Sequence, residues 1–434
     1  MAGPPSVWRV LRTRNFGPYF VGNAMSASGT WFQNLAASIF VYQLTHSALL
    51  LGVLNACQFG PVLLLSPWAG RIADAVDRRR LLICTQAIAV VISAALAALV
   101  WVGLATTWTM IGFAAVLGTT TAFGTPAQMA LVGSLVPRDS LAQAVALNSM
   151  TFNVARAVGP AAAAAVIALF GIAPAIAVNS LSYLALATAL LVITPSPVPR
   201  VRRARFRDSL GILRAEPRLA GYLGIVMAVG MTADPVNTES PAIAHTFGYS
   251  PVWAGAVVGC FGLGAVLAAA TTTGTAARSD RQLTASLLIF GSGMVLMAVS
   301  PWFPLALAFV LGAGFGYLSA NATATARLQL GVAAGEWGRV MALWSVAFLG
   351  TRPLASIVDG AIAGWAGVRV AACVLALPVL VAAALLARAQ RTGAERQDSR
   401  SVNGGARARD TSGRTRADAG RPITKGGPKW PTRS

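Results

Sequence analysis

Charge is what this chain has least of. Only 11% of its 434 residues are charged and 56% are hydrophobic, whereas a soluble globular protein carries about 25% charged residues. That much apolar surface needs lipid as its solvent, which excludes a soluble globular fold and points to an integral membrane protein. Cysteine is scarce as well. Cys57, Cys84, Cys260 and Cys373 all fall inside apolar runs without paired spacing, so neither a disulfide framework nor a metal site is indicated. The two histidines, His46 and His245, stand far apart in the sequence near expected loops, which argues against a histidine-based metal or acid/base site. No Gly-x-x-x-x-Gly-Lys-Ser/Thr loop occurs, so ATP is not a direct energy source. No His/Asp/Glu cluster or nucleophile motif falls inside the apolar runs, which disfavours an enzyme. A cleaved signal peptide is not expected either: the basic start, with Arg9, Arg12 and Arg14, leads into an apolar run that is too long and lacks a small-residue cleavage pattern.

What charge there is has one sign and one kind of place. The formal net charge of +20 lies in loops and in the C-terminal tail, where membrane orientation and an anionic inner leaflet account for it. No basic nucleic-acid-binding fold surrounds it, so nucleic acid is not an expected partner. Membrane lipids are.

Apolar runs recur at about 16–42, 48–70, 81–103, 107–135, 142–169, 172–194, 219–244, 252–277, 282–300, 303–330, 340–364 and 367–390. Each reaches or approaches the ~20 residues that cross a ~30 Å bilayer core, giving an all-α polytopic protein with twelve spans. Gly- and Ala-rich stretches such as 161–165 and 312–316 let helices approach closely where lipid is as apolar as the helix surface. Alternate connections hold almost all the inter-span arginines: Arg71 and Arg78 to Arg80, Arg138, the cluster from Arg200 to Arg218, Arg278 and Arg281, and Arg339. The opposite set holds only Arg369. By the positive-inside rule both termini are expected on the cytoplasmic side of the plasma membrane.

The organisation that follows is a cytoplasmic segment 1–15, a six-helix bundle 16–194, a Pro- and Arg-rich cytoplasmic linker 195–218, a second bundle 219–390, and a basic tail 391–434. The tail's polar composition is that of a disordered segment. The halves echo each other. Ala146, Leu147, Ser149, Phe152 and Arg156 recur as Ala342, Leu343, Ser345, Phe348 and Arg352, at one constant offset. A repeat with an even number of spans keeps its orientation, so the halves are related by an axis along the membrane normal.

The most charged short stretch, Gly70 to Arg80, reads as a loop between the second and third spans. Its pattern Gly70-x-x-x-Asp74-x-x-x-Arg78-Arg79-Arg80 resembles the loop signature between helices two and three of the major facilitator superfamily. Further blocks resemble the twelve-helix drug:proton antiporter-3 branch of enterobactin exporters and macrolide or tetracycline efflux pumps: Arg14-Asn15-Phe16, Trp31-x-Gln33-Asn34, Val41-Tyr42-Gln43-Leu44-Thr45, Val136-Pro137-Arg138-Asp139 and Gly159-Pro160. The likeness covers residues 9 to about 390. It implies a transporter in which two six-helix halves rock about a central site, with Asp74 and the arginines holding the cytoplasmic side shut in one state. Gly159-Pro160 resembles the antiporter motif of helix five, although its trailing glycines are Ala163 and Ala164 here. The arginine that the superfamily often carries early in helix four is missing between Thr106 and Phe123, so relay schemes built on it do not transfer.

Several intramembrane residues are candidates for the site. Arg156 lies about 14 residues, ~21 Å, into its helix, and Arg352 is its repeat partner; a charge at that depth must face the bundle interior. The pair either binds an anionic or catechol-like substrate or is structural, bonding carbonyls loosened near Gly159-Pro160 and Pro353. Asp234 sits mid-span beside Pro235, which breaks a helical hydrogen bond, and so is a proton-carrying candidate or a helix-break cap. Glu239 follows toward the outside, as a second acid or in the outer headgroups. Asp359 lies seven residues beyond Arg352, two turns on and on the same face. Asn23, Gln33, Asn34, Asn55 and Gln58 line a cavity or tie helices together.

The reading is a proton-driven exporter of a small amphipathic or anionic organic molecule: a drug, antibiotic or siderophore. Protons and the substrate are its partners; no cofactor and no obligatory protein partner is called for. Proton symport of a nutrient, a non-transporting receptor and a membrane enzyme are the rivals.

Overall fold

The computed structural model describes residues 7–195, 216–272, 279–332 and 337–391. The chain divides into two units, Met1–Ala383 and Ala384–Ser434; of the second, only 384–391 are described, and they are helical. Among the described residues the secondary structure is helical, without strands.

A short α1 (Val7–Leu11) precedes α2 (Phe16–Thr45), α3 (Ala48–Ala75), α4 (Arg78–Trp101), α5 (Thr107–Leu135), α6 (Leu141–Phe170) and α7 (Ile172–Val192). After the linker come α8 (Pro217–Thr232), α9 (Asp234–Thr238), α10 (Ser240–Thr246), α11 (Ala254–Thr272), α12 (Asp280–Val299), α13 (Phe303–Leu330), α14 (Trp337–Leu349), α15 (Arg352–Ala366) and a last helix, α16 (Val368–Arg391). Ten stretches are long and apolar enough to cross a membrane. Two further helices complete the twelve crossings. One is α2, 30 residues long and hence ~45 Å. The other is α6, apolar over Val154–Phe170.

α2 is less apolar because its buried face, with Gly22, Asn23, Ser26, Gly29 and Gln33, meets protein instead of lipid. A methyl added at Gly22 would stand 2.9 Å from the Ala189 side chain, and one at Gly29 would stand 2.5 Å from the Asn179 amide oxygen. Small residues at this spacing let α2 and α7 lie backbone to backbone. Polar groups brought inside are paired: Gln33 Oε1 accepts from Ser93 Oγ of α4 (2.8 Å) and Asn179 Nδ2 of α7 (2.6 Å).

The two halves touch mainly along two helix pairs, α3 with α15 and α6 with α11. In the first pair, Gly52 and Gly360 face each other: a methyl at Gly360 would stand 2.9 Å from the Ala48 carbonyl oxygen and 3.1 Å from the Cα atoms of Gly52 and Leu49. In the second, a methyl at Gly255 would be 2.8 Å from the Pro160 carbonyl oxygen. Gly159 itself lies against α2, where an added methyl would be 2.8 Å from Trp31 Cβ.

Three sequence expectations change. The stretch from Gly70 to Arg80 is not a loop of that length: α3 continues through Ala75, and α4 begins at Arg78. The reversal is made by Val76 and Asp77, with the Asp77 side chain accepting from the Arg80 N–H at 2.8 Å as an N-cap. The crossing expected at 219–244 is broken at Ala233 and Glu239, and that at 340–364 at Gly350 and Thr351. Pro235, Pro241 and Pro353 stand at the starts of the restarted helices, where the missing N–H costs nothing. Residues 196–215 of the linker, Arg278 of the charged connections, and the tail from 392 lie outside the described residues.

Candidate functional site

The breaks in the seventh and eleventh crossings bring ionisable groups together in the interior. Pro235 and Pro241 divide the seventh crossing into short helices, which sets Asp234 at the start of α9 and Glu239 in the joint between α9 and α10. Facing them, Arg352, Ser356 and Asp359 share one side of α15, at spacings of four and three residues.

Asp234 is 1% exposed. Its Oδ1 accepts from Ser356 Oγ at 2.9 Å and its Oδ2 from Thr238 Oγ1 at 3.0 Å. Arg352 supplies the attractive positive charge, and its guanidinium lies 4.1 Å from the centre of the Phe59 ring of α3, so this cation sits where the halves meet. Glu239 and Asp359 are each fully buried, and no oxygen of either carboxyl group meets a hydrogen-bond partner among the described residues. They face one another electrostatically, and both face Asp234. The alternative of Glu239 in outer headgroups is therefore overturned. Its place in a helix joint, behind Pro235 and before Pro241, keeps it inside the protein.

Arg156 reaches across from the first half. Its Nη1 donates to Tyr317 Oη of α13 at 2.7 Å and its Nη2 to Asn237 Oδ1 of α9 at 3.3 Å. The guanidinium lies 4.6 Å from the Tyr317 ring, 5.2 Å from Phe261 and 5.7 Å from Trp31. Burial with aromatic faces on three sides is how a cation is held away from water when no carboxylate is adjacent. The expected backbone carbonyl partners are replaced by side chains of the other half, and Nε meets no partner among the described residues.

The polar residues of the first two crossings tie helices together. Asn23 Nδ2 donates to Asn148 Oδ1 at 2.9 Å and its oxygen accepts from Gln128, while Gln58 Nε2 donates to Asn34 Oδ1 at 2.7 Å. Asn55 is buried. At the turn of α3 and α4, Arg79 donates to the carbonyls of Leu190 (2.6 Å) and Leu191 (2.7 Å); it closes the open C-terminal carbonyls of α7 within its own half. Gly70 lies inside α3, and Arg78 and Arg80 lie in the first turn of α4. The side chain of Asp74 lies outside those described.

Sequence reasoning missed Tyr317, Ser356 and Asp77. Ser356 was findable, because residues 352, 356 and 359 fall on one helical face. Tyr317 was not, because nothing local links α13 to Arg156.

A family model described as transmembrane secretion effector matches residues 5–410. The chain belongs to this family of major facilitator transporters. The match extends past the described helices into the tail, beyond the limit of about 390 expected from the motifs. Its relatives are transporters and not enzymes. The staphyloferrin A transporter of Staphylococcus aureus is 34% identical over 153 residues, 35% of this chain and 38% of that one. The MFS-type transporter YfiS of Bacillus subtilis is 25% identical over 288 residues, 64% and 66% of the two chains. The chain thus spans less than two thirds of the length of either relative. Among solved structures, a bacterial homolog of the human lysosomal transporter Spinster, inward-facing and occupied, superposes with a TM-score of 0.72 at 14% identity, covering 87% of this chain and 96% of that one. The human organic anion transporter MFSD10 gives 0.61 at 15% identity, covering 88% and 100%. At such identities these two show the fold alone.

Proposed function

We propose that this transporter is a proton-driven exporter of a small anionic or amphipathic molecule, with the plasma membrane as its place and both termini on the cytoplasmic side. The observation that carries the reading is the cluster of Asp234, Glu239 and Asp359, fully buried at two broken crossings, with two of the three carboxyl groups meeting no hydrogen-bond partner among the described residues. Groups of this kind in a membrane interior are proton-handling sites, because taking up and giving back a proton changes the cost of burying them. Arg156 and Arg352 supply positive charge beside the cluster. Each touches the opposite half, so a substrate anion that takes over a guanidinium contact changes what holds the halves together. The likeness to a siderophore transporter, staphyloferrin A being its substrate, supports a siderophore as the cargo.

Export is supported by the secretion-effector family and by the Gly159-Pro160 motif, in which Gly159 packs on α2 of the same half and Pro160 meets α11 of the other. The orientation rests on the arginine asymmetry of the connections. Purified protein in liposomes under an imposed pH gradient, challenged with a panel of siderophores and drugs, tests the reading. Substrate-dependent proton flux opposite in direction to substrate movement is expected. Flux in the same direction means import, and substrate movement indifferent to the gradient removes the proton.

A further inference from the structure

The chain's only two histidines, 199 positions apart, meet in space. His46 ends α2 in the first half and His245 stands in the last turn of α10 in the second. Their ring centres are 5.6 Å apart, and Tyr42 stacks edge-on against both, at 5.4 Å from His46 and 5.6 Å from His245. Both imidazoles are exposed, whereas Tyr42 is buried. The trio lies at the end opposite the arginine-bearing turns, where α3 begins and α15 ends. There the Gly52–Gly360 crossing also holds the halves together.

His46 is held in an unusual way. It is the one non-glycine residue with positive φ among the described residues, at 47°, and its N–H bonds the Tyr42 carbonyl at 2.8 Å. A left-handed residue of this kind ends a helix and turns its side chain back beside the last turn. Glycine or asparagine adopts it at least cost; a histidine here aims an imidazole at Tyr42 and at the other half.

We infer that His46, Tyr42 and His245 form the outer closure between the two halves, and that protonation of both imidazoles from the outer solution opens it. While at most one imidazole is charged, the trio packs as three rings. Two charges 5.6 Å apart repel. The open state is then favoured by about threefold at the dielectric of water and about 150-fold at the effective dielectric near a protein surface. Imidazoles as a class change charge between pH 5 and 8, the range an acidified exterior covers.

The surrounding charges are few. Glu239 faces Tyr42 from the buried side, with Asp359 behind it on α15. Tyr249 and Trp253 come from the turn before α11. Arg369 of the last crossing lies over Phe247, two residues beyond His245, and donates to the Ser300 carbonyl. The first turns of α3 and α11 add no charged side chain. Glu239 is therefore the group that can offset one imidazolium charge, while Arg369 adds to the repulsion.

The inference uses only alternating access and not the direction or the coupling of transport. The test is a distance. In the full-length protein with its four cysteines changed to serine, spin labels at Val102→Cys and Trp302→Cys sit on exposed turns of the two halves at this end. In liposomes, lowering the pH from 8 to 5 is expected to raise the long-distance population at least threefold. The double variant His46→Phe/His245→Phe keeps three rings without titration and is expected to hold the short distance at both pH values. Each single variant should shift less than the parent, since only the repulsion from Arg369 then remains. An unchanged distribution in the parent, or an equal shift in the phenylalanine variants, would overturn the inference. Failure of proton coupling is read separately, as loss of proton flux with this shift intact.

Discussion

Gly360→Ala puts a methyl group where two backbones already touch. It would stand 2.9 Å from the Ala48 carbonyl oxygen and 3.1 Å from the Cα atoms of Gly52 and Leu49. All three are main-chain atoms of α3, so no side chain can swing away; α3 and α15 must separate. Overpacking of this kind costs about 1–3 kcal/mol. The cost falls on the state in which the two helices cross closely and is relieved once the halves part, so it is a bias on a conformational equilibrium. At 1.36 kcal/mol per tenfold change, the open population at this end should rise about 5- to 150-fold. The assay is the rate at which an impermeant maleimide labels Ala363→Cys, a buried position one turn along α15, in a background without the native cysteines. Unchanged labelling in a correctly inserted Gly360→Ala protein would show that the Gly52–Gly360 crossing takes no part in closure.

Arg156→Ala removes two side-chain hydrogen bonds to the second half and a cation held between three rings. At about 1.5–3 kcal/mol for each charge-assisted bond, substrate affinity measured by equilibrium binding should fall about tenfold or more for an anionic substrate, and much less for a neutral one. Asp77→Ala loses the N-cap of α4, a change worth about 1 kcal/mol; thermal unfolding in detergent should shift down by a few degrees with transport rate preserved. Truncation after Gln390 should leave expression and efflux near those of the full chain, since it removes only the terminal residue of α16 and the tail after it. Loss of efflux at normal expression would give the tail a role.

The helices were legible in the sequence because length and apolarity are local properties. Ten of the expected runs match single described helices, the other two being the broken seventh and eleventh crossings, and α2 was found despite its polar face because the apolar residues around it still fill the run. The Gly70–Arg80 reversal was misjudged for a local reason too. Six charges in eleven positions look like solvent-exposed loop, yet Arg78 to Arg80 begin a helix once Asp77 caps it. Asp234, Glu239, Asp359, Arg156 and Arg352 stood out as charges in apolar surroundings, since lipid penalises each of them. Their partners did not stand out. Tyr317, Ser356 and Phe59 are ordinary residues of membrane helices until the fold sets them opposite a charge. The histidines failed in the same way: 199 positions apart, they read as two unrelated loop residues, and only the packing of α2 on α10 brings them to 5.6 Å.

The most direct measurement of the central proposal compares Asp234→Asn with the parent protein in proteoliposomes, following uphill substrate movement, proton flux and downhill exchange together. Asn keeps the shape: its oxygen can accept from one of the Ser356 and Thr238 hydroxyls while its amide nitrogen donates to the other, but it cannot take up a proton. Uphill export and proton flux should both disappear, while downhill exchange continues within a few-fold of the parent rate. If Asp234→Asn still drives uphill export with the parent's pH dependence, the proton does not pass through this carboxyl group. If Glu239→Gln and Asp359→Asn give the same result, the buried cluster does not couple protons to transport.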